Sequence, residues 1–119
     1  SVQPVQDVPE KLIFILSAPN ALNPAELQML ERMAAYIRNE LKIGQEWIRG
    51  GPELWDHIQG KHHWVLFGNH GIPESPDMFG FLEHRRGPLL KLPSEQVLAP
   101  DAALKKQALE ALKTWGKSA

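Results

Sequence analysis

The chain has 119 residues, 13 lysines and arginines against 14 aspartates and glutamates, a formal charge of −1 and no cysteine. That length fits one domain able to bury roughly 65% of the surface its unfolded form exposes, and 43% hydrophobic against 23% charged residues argues against wholesale disorder. The near-neutral charge argues against strong non-specific nucleic-acid binding, which needs a basic surface, and the missing cysteines exclude disulfides, thiolate metal sites and a cysteine nucleophile.

Residues 1–10 are polar, hold Pro4 and Pro9 and show no periodicity, so they read as a flexible N-terminal tail ahead of a single domain over 11–119. No apolar run approaches the ~20 residues that span a bilayer, and the start lacks the pattern of a signal peptide. A cytoplasmic protein without membrane contact is expected.

Leu12 to Leu16 is a continuous apolar run, too short for a helix, and suits a strand buried on both faces. "NPAELQMLERMAAYIRNELK" follows, with Asn23 as N-cap, Pro24 in the first helical position and Glu26 completing a capping-box variant. Leu27, Leu30, Met33, Ala34, Ile37 and Leu41 recur at helical spacing, and Gly44 is the expected stop. Glu46 to Arg49 reads as a short strand, and "PELWDHIQG" as a short helix with Leu54, Trp55 and Ile58 inward. "HHWVLFG" reads as another buried strand, after which the prolines of "NHGIPESPD" exclude regular structure.

A brief helix through Met78, Phe79 and Leu82 is expected next, then a fourth strand in "GPLLKL". The last helix carries Leu104, Ala108, Leu112 and Trp115 on one stripe, with Gly116 as its stop. The order βαβαβαβα predicts an α/β fold: a mostly parallel four-stranded sheet in a three-layer α/β/α arrangement.

His57, His62, His63 and His70 are close in sequence, but a strand alternates its side chains, so His62 and His63 point to opposite faces. No metal site is expected from them, since zinc needs three or four converging ligands. His70, in "GNHG" after a buried strand, falls where parallel sheets open their ligand crevices, and is the candidate for acid–base work. "GNHG" lacks the spacing of a phosphate loop, and Ser17 is a lone hydroxyl without an assignable base. No cofactor is expected.

Arg85, Arg86, Lys91, Lys105, Lys106, Lys113 and Lys117 make the last third locally basic. They read as a solvated face, with contact to phosphate or an acidic partner as the alternative. Of the four tryptophans, Trp55, Trp64 and Trp115 fall on core stripes and Trp47 is the least committed.

Leu92-Pro93-Ser94, Val97-Leu98, Pro100, Leu104-Lys105 and Trp115 together resemble the end of the uracil-DNA glycosylase fold, where His-Pro-Ser follows the last strand and a lysine-bearing helix comes next. In active members of that superfamily the His donates to the uracil oxygen as charge develops on it, with the base flipped into a pocket. Leu92 has nothing to donate. In the loop after the first strand, "SAPNALNP", only Asn20 stands where a water-positioning Asp or Asn is needed.

One group keeps the fold without the chemistry, the psi subunits of bacterial DNA polymerase III. This chain resembles them in "KLIFILSAPNAL", "NPAELQML" and "LPSEQVL" through "LKKQALEALKTW". The resemblance implies a non-catalytic scaffold in DNA replication that binds a chi-like partner and bridges it to the clamp loader. In the family the clamp loader is reached by a basic, Trp-bearing N-terminal peptide; residues 1–10 have neither feature, so that contact would need a missing or diverged peptide. The alternatives are a divergent glycosylase-like enzyme using Asn20 and His70, or a same-fold scaffold in an unrelated assembly.

Overall fold

A computed structural model describes residues 10–44, 46–68, 72 and 75–118; the expected tail over 1–9 lies outside them. The elements run β1 (Lys11–Ile15), α1 (Pro24–Asn39), β2 (Glu46–Gly50), α2 (Glu53–His57), β3 (His63–Phe67), β4 (Phe81–His84), β5 (Gly87–Leu92), α3 (Glu95–Leu98) and α4 (Ala102–Ser118). They form an α/β fold on one five-stranded sheet of order β2-β1-β3-β5-β4. β2, β1, β3 and β5 are parallel, and β4 runs antiparallel along β5 at the edge. The sheet is therefore mixed and one strand wider than the sequence suggests.

β1 and β3 are the centre of the sheet because their apolar runs leave no polar face. Leu12, Phe14, Val65 and Phe67 turn to one side, where α1, α3 and α4 add Leu30, Ile37, Leu98, Leu112 and Trp115. Ile13, Ile15, Trp64 and Leu66 turn to the other, under Leu54, Trp55 and Ile58 of the α2 segment. Helices thus cover both faces, unequally. Phe14 packs edge-on against Phe67 at 5.1 Å and against Trp47 at 5.5 Å, which commits Trp47 to the core as well.

α1 begins as its sequence dictates: the Glu26 N–H donates to Asn23 Oδ1 at 2.7 Å, and the Asn23 N–H donates to Glu26 Oε1 at 3.2 Å. Its end comes earlier than Gly44. Lys42 adopts a left-handed φ of 58°, and the Ile43 N–H returns to the Ile37 carbonyl at 3.2 Å, so Leu41 packs from the connecting turn and not from the helix. Gly44 serves a different purpose: a Cβ there would lie 2.9 Å from Leu12 Cβ.

The helix expected through Met78, Phe79 and Leu82 is instead a turn and a strand. The Gly80 N–H closes the turn on the Asp77 carbonyl at 2.8 Å, with Phe79 left-handed at φ 63°. Phe79 N–H then donates to the Lys91 carbonyl while Lys91 N–H donates to the Gly80 carbonyl, so two residues face one in a β-bulge. A non-glycine residue in this region costs roughly 1–2 kcal/mol. Packing of the Phe79 ring against the main core offsets that cost. Pairing with β5 through Phe81↔Leu90 to His84↔Gly87 overrides the local helical spacing.

Gly116 likewise fails to stop α4. It lies inside the helix where Leu41 comes close, a Cβ falling 3.0 Å from Leu41 Cδ1, so close packing outweighs the ~1 kcal/mol propensity cost of glycine. Among the described residues no helix is long and apolar enough to cross a membrane.

Candidate functional site

Parallel sheets open their ligand crevices at the carboxyl ends of the strands, and here those ends are tied together. Leu16 N–H donates to the Gly50 carbonyl at 2.8 Å, and Gly68 N–H donates to the Leu92 carbonyl at 2.9 Å, extending pairing past β1 and β3. The Ser17 hydroxyl donates to the Phe67 carbonyl at 2.6 Å. This hydroxyl links the ends of β1 and β3.

Glu95 completes the junction. It is fully buried, and its two carboxylate oxygens accept the N–H groups of Ser17 and Ala18, each at 2.9 Å. Both donors would otherwise be orphaned where β1 ends, and a buried carboxylate needs such donors to offset its desolvation. Gly68, at φ 88°, sits so tightly between Ser17 and Ser94 that any Cβ would collide with the Ser17 hydroxyl.

Sequence reasoning passed over Glu95. Following Ser94 at the head of a short helix, it has the pattern of an acid solvated at a positive helix end. Its real partners are 78 and 77 residues away.

The motif residues divide between core and surface. Leu92 is fully buried at the end of β5, and Pro93 is buried beside it. Ser94 caps α3, its hydroxyl accepting the Val97 N–H at 3.3 Å. Lys105 is exposed on α4, whose first turn is held by Asp101 Oδ1 accepting the Leu104 N–H at 3.0 Å. Trp115 is fully buried. Asn20 is exposed in the turn after β1, and His70 lies outside the described residues.

The adjacent histidines do split across the sheet. His62 is fully buried: Nδ1 accepts the Lys11 N–H at 3.0 Å, and Nε2, which then carries the proton, donates to the Gln59 carbonyl at 2.7 Å. Its ring stands edge-on to Trp64 at 6.1 Å. His63 faces the other way, edge-on to Trp115 at 5.5 Å and in ion-pair contact with Glu10, although neither ring nitrogen makes an aligned hydrogen bond.

Burial pushes the His63 pKa below its ordinary 6.5, with Glu10 and then Glu83 pulling in the opposite direction. A cavity of about 410 Å³ opens here at the amino ends of the strands, lined by Glu10, Lys42, His63 and Glu83 among others. His57 is exposed on α2, and among the described residues no three His, Asp or Glu side chains are grouped to hold a metal ion.

The basic third of the chain is not one patch. Lys105, Lys106, Lys113 and Lys117 are exposed along α4. Arg86 is half-buried, with its guanidinium 4.1 Å from the Trp55 ring centroid and 5.0 Å from that of Trp64, and it donates to the Ile58 carbonyl. Desolvation, then Arg85, lowers its pKa. Trp64 Nε1 donates to the Arg86 carbonyl at 2.8 Å, so this arginine is a packing element joining α2 to the β4–β5 turn.

Comparison with known proteins finds no matching family model, no matching curated protein and no matching solved structure.

Proposed function

We propose that this protein is a non-catalytic scaffold subunit of the psi type, binding a chi-like partner and linking it to the clamp loader in DNA replication. The observation that carries the reading is Leu92. Residue 92, where the resemblance implies an imidazole that stabilises charge on a leaving base, carries a fully buried aliphatic side chain. Around it the polar groups are spent on backbone: Glu95 accepts the Ser17 and Ala18 N–H groups, the Ser17 hydroxyl donates to the Phe67 carbonyl and the Gly68 N–H to the Leu92 carbonyl.

Element order supports the same reading. Leu92 ends the last strand, Pro93-Ser94 follow it, and the lysine-bearing α4 comes after one turn of helix, the order that the resemblance implies. The five-stranded mixed sheet has helices against both faces, as a three-layer α/β/α arrangement requires. A scaffold needs a stable core and exposed apolar surface, and near the β4 edge Phe81 on the α4 side, Leu82 on the opposite face and Met78 in the turn before them are exposed.

The test mixes the purified protein with the chi subunit of the same organism and follows size-exclusion elution, with excision of uracil from an oligonucleotide measured in parallel. A stable stoichiometric complex and no excision are expected. Excision by the purified protein, or lack of any complex with chi, overturns the reading.

A further inference from the structure

An open recess of about 350 Å³ lies between the loop ahead of β3 and the β4–β5 turn. Gln59, Gly60, Lys61, Arg85 and Arg86 line it, so three of its five lining residues are cations and none is an acid. Its size falls in the ~300–1,000 Å³ range of small-molecule sites.

Cations gathered around one recess repel each other unless an anion lies among them. Among the described residues, neither Lys61, Arg85 nor Arg86 has a carboxylate within ion-pair distance. Glu83, two residues before Arg85, lines the cavity beside His63 and not this recess. Asp56 is the acid that bears on Arg86, and its pull is weaker than the opposing push of Arg85. The recess is therefore a positively charged concavity that no side chain of the protein neutralises.

Its walls are also fixed in advance. The Arg86 carbonyl accepts the His62 N–H at 3.0 Å and the Trp64 Nε1–H at 2.8 Å, which clamps the turn to the start of β3. The Arg86 N–H donates to His84 Nδ1 at 3.1 Å. On the opposite wall His62, next to Lys61, is held through its ring by the Gln59 carbonyl and the Lys11 N–H. The Arg86 guanidinium lies 4.1 Å from the Trp55 ring centroid and gives an N–H to the Ile58 carbonyl. A guanidinium has five such donors, so others remain for a ligand. Lys61 and Arg85 are exposed, and their long side chains can close on one.

We propose that this recess binds a doubly charged phosphate group, either free or as the monoester of a small molecule. An immobilised guanidinium matches phosphate in geometry as well as charge. Three cations suit the charge of about −1.5 to −2 on a phosphate monoester near pH 7 better than the single charge of a carboxylate. A nucleic-acid strand is a poorer fit, since its affinity comes from many phosphate contacts along a basic surface and this one is confined to three side chains. The site is independent of the scaffold reading and of any chi-like partner.

The experiment titrates the ¹⁵N-labelled full chain, at low ionic strength and about pH 7.5, with inorganic phosphate, phenyl phosphate and, as a singly charged control, benzoate. Saturable shifts of the Gly60, Lys61, Arg85 and Arg86 amides are expected with at least one phosphate, at least about 10-fold tighter than with benzoate. Tighter binding of phenyl phosphate than of inorganic phosphate assigns the monoester as ligand, and the reverse or equal binding assigns the free ion; both uphold the site.

Arg85→Gln and Lys61→Gln, at exposed positions and first checked for an unchanged melting transition, should each weaken binding by about 10-fold, the loss of one hydrogen bond to a charged group. Lys105→Gln, exposed on α4 away from the recess, should leave it unchanged. No saturable shift with either phosphate, benzoate binding as tightly as the phosphates, or phosphate binding that survives both recess substitutions overturns the proposal.

Discussion

Removing the Glu95 carboxylate should destabilise this fold more than any surface substitution, although its hydrogen-bond partners among the described residues are backbone groups. It is fully buried, and its two oxygens satisfy two backbone donors at 2.9 Å. Hydrogen bonds to a charged group contribute about 1.5–3 kcal/mol each, so Glu95→Ala should cost about 3–6 kcal/mol. Set against a total of about 5–15 kcal/mol for a domain, that is a large share. At this chain length it corresponds to a fall in Tm of about 10–25 °C.

Glu95→Gln keeps the shape, but its amide nitrogen faces one of the two donors, so it should lose roughly half as much. Gln96→Ala, at the exposed neighbouring position, should be neutral within about 0.5 kcal/mol. Urea and thermal unfolding followed by tryptophan fluorescence would read all three, with four tryptophans as reporters. If Glu95→Ala and Glu95→Gln both melt with the wild type, the argument that this carboxylate seals the strand ends is wrong.

Gly87→Ala should lose more than about 3 kcal/mol or fail to fold, because φ is 106° and a Cβ would overlap the His62 carbonyl oxygen; circular dichroism melts check it. Asn23→Ala removes one half of the capping box and should cost about 1 kcal/mol in the same assay. His63 has a folded pKa below its unfolded 6.5, so the folded state binds the proton less readily. Its contribution is complete above pH 6.5 and is lost as pH falls through that value toward the folded pKa. Stability measured from about pH 8 down to pH 5 should therefore decline less steeply in His63→Gln than in the wild type, and parallel curves would count against this assignment.

Residues whose fate depends on near neighbours were legible from sequence. The apolar runs of β1 and β3, the Asn23–Glu26 box and the stripe of Ala108, Leu112 and Trp115 each carry their structural signal within a few positions. The opposite orientation of His62 and His63 follows from strand geometry alone. β4 was not legible, because Met78, Phe79 and Leu82 fall at a helical spacing and "FLEH" shows no buried face of its own. β5, reached through the Arg85–Arg86 turn, makes it a strand.

In the candidate site, Leu92 could be read from the sequence as the end of an apolar strand, whereas the closure around it could not. Glu95 meets Ser17 across 78 residues, and His62 meets the Lys11 N–H across 51. Arg86, one of a run of basic residues in sequence, spends its guanidinium on Trp55 and the Ile58 carbonyl.

Sequence by itself therefore determined the α/β class, the central buried strands and the start of the long first helix. All of these are set by side-chain type and short-range periodicity. Tertiary structure decided the fifth strand, the endings of both long helices and the partners of each buried polar group. Backbone groups and buried charges must be satisfied by whatever the folded chain brings near, and that juxtaposition exists only once the sheet has assembled.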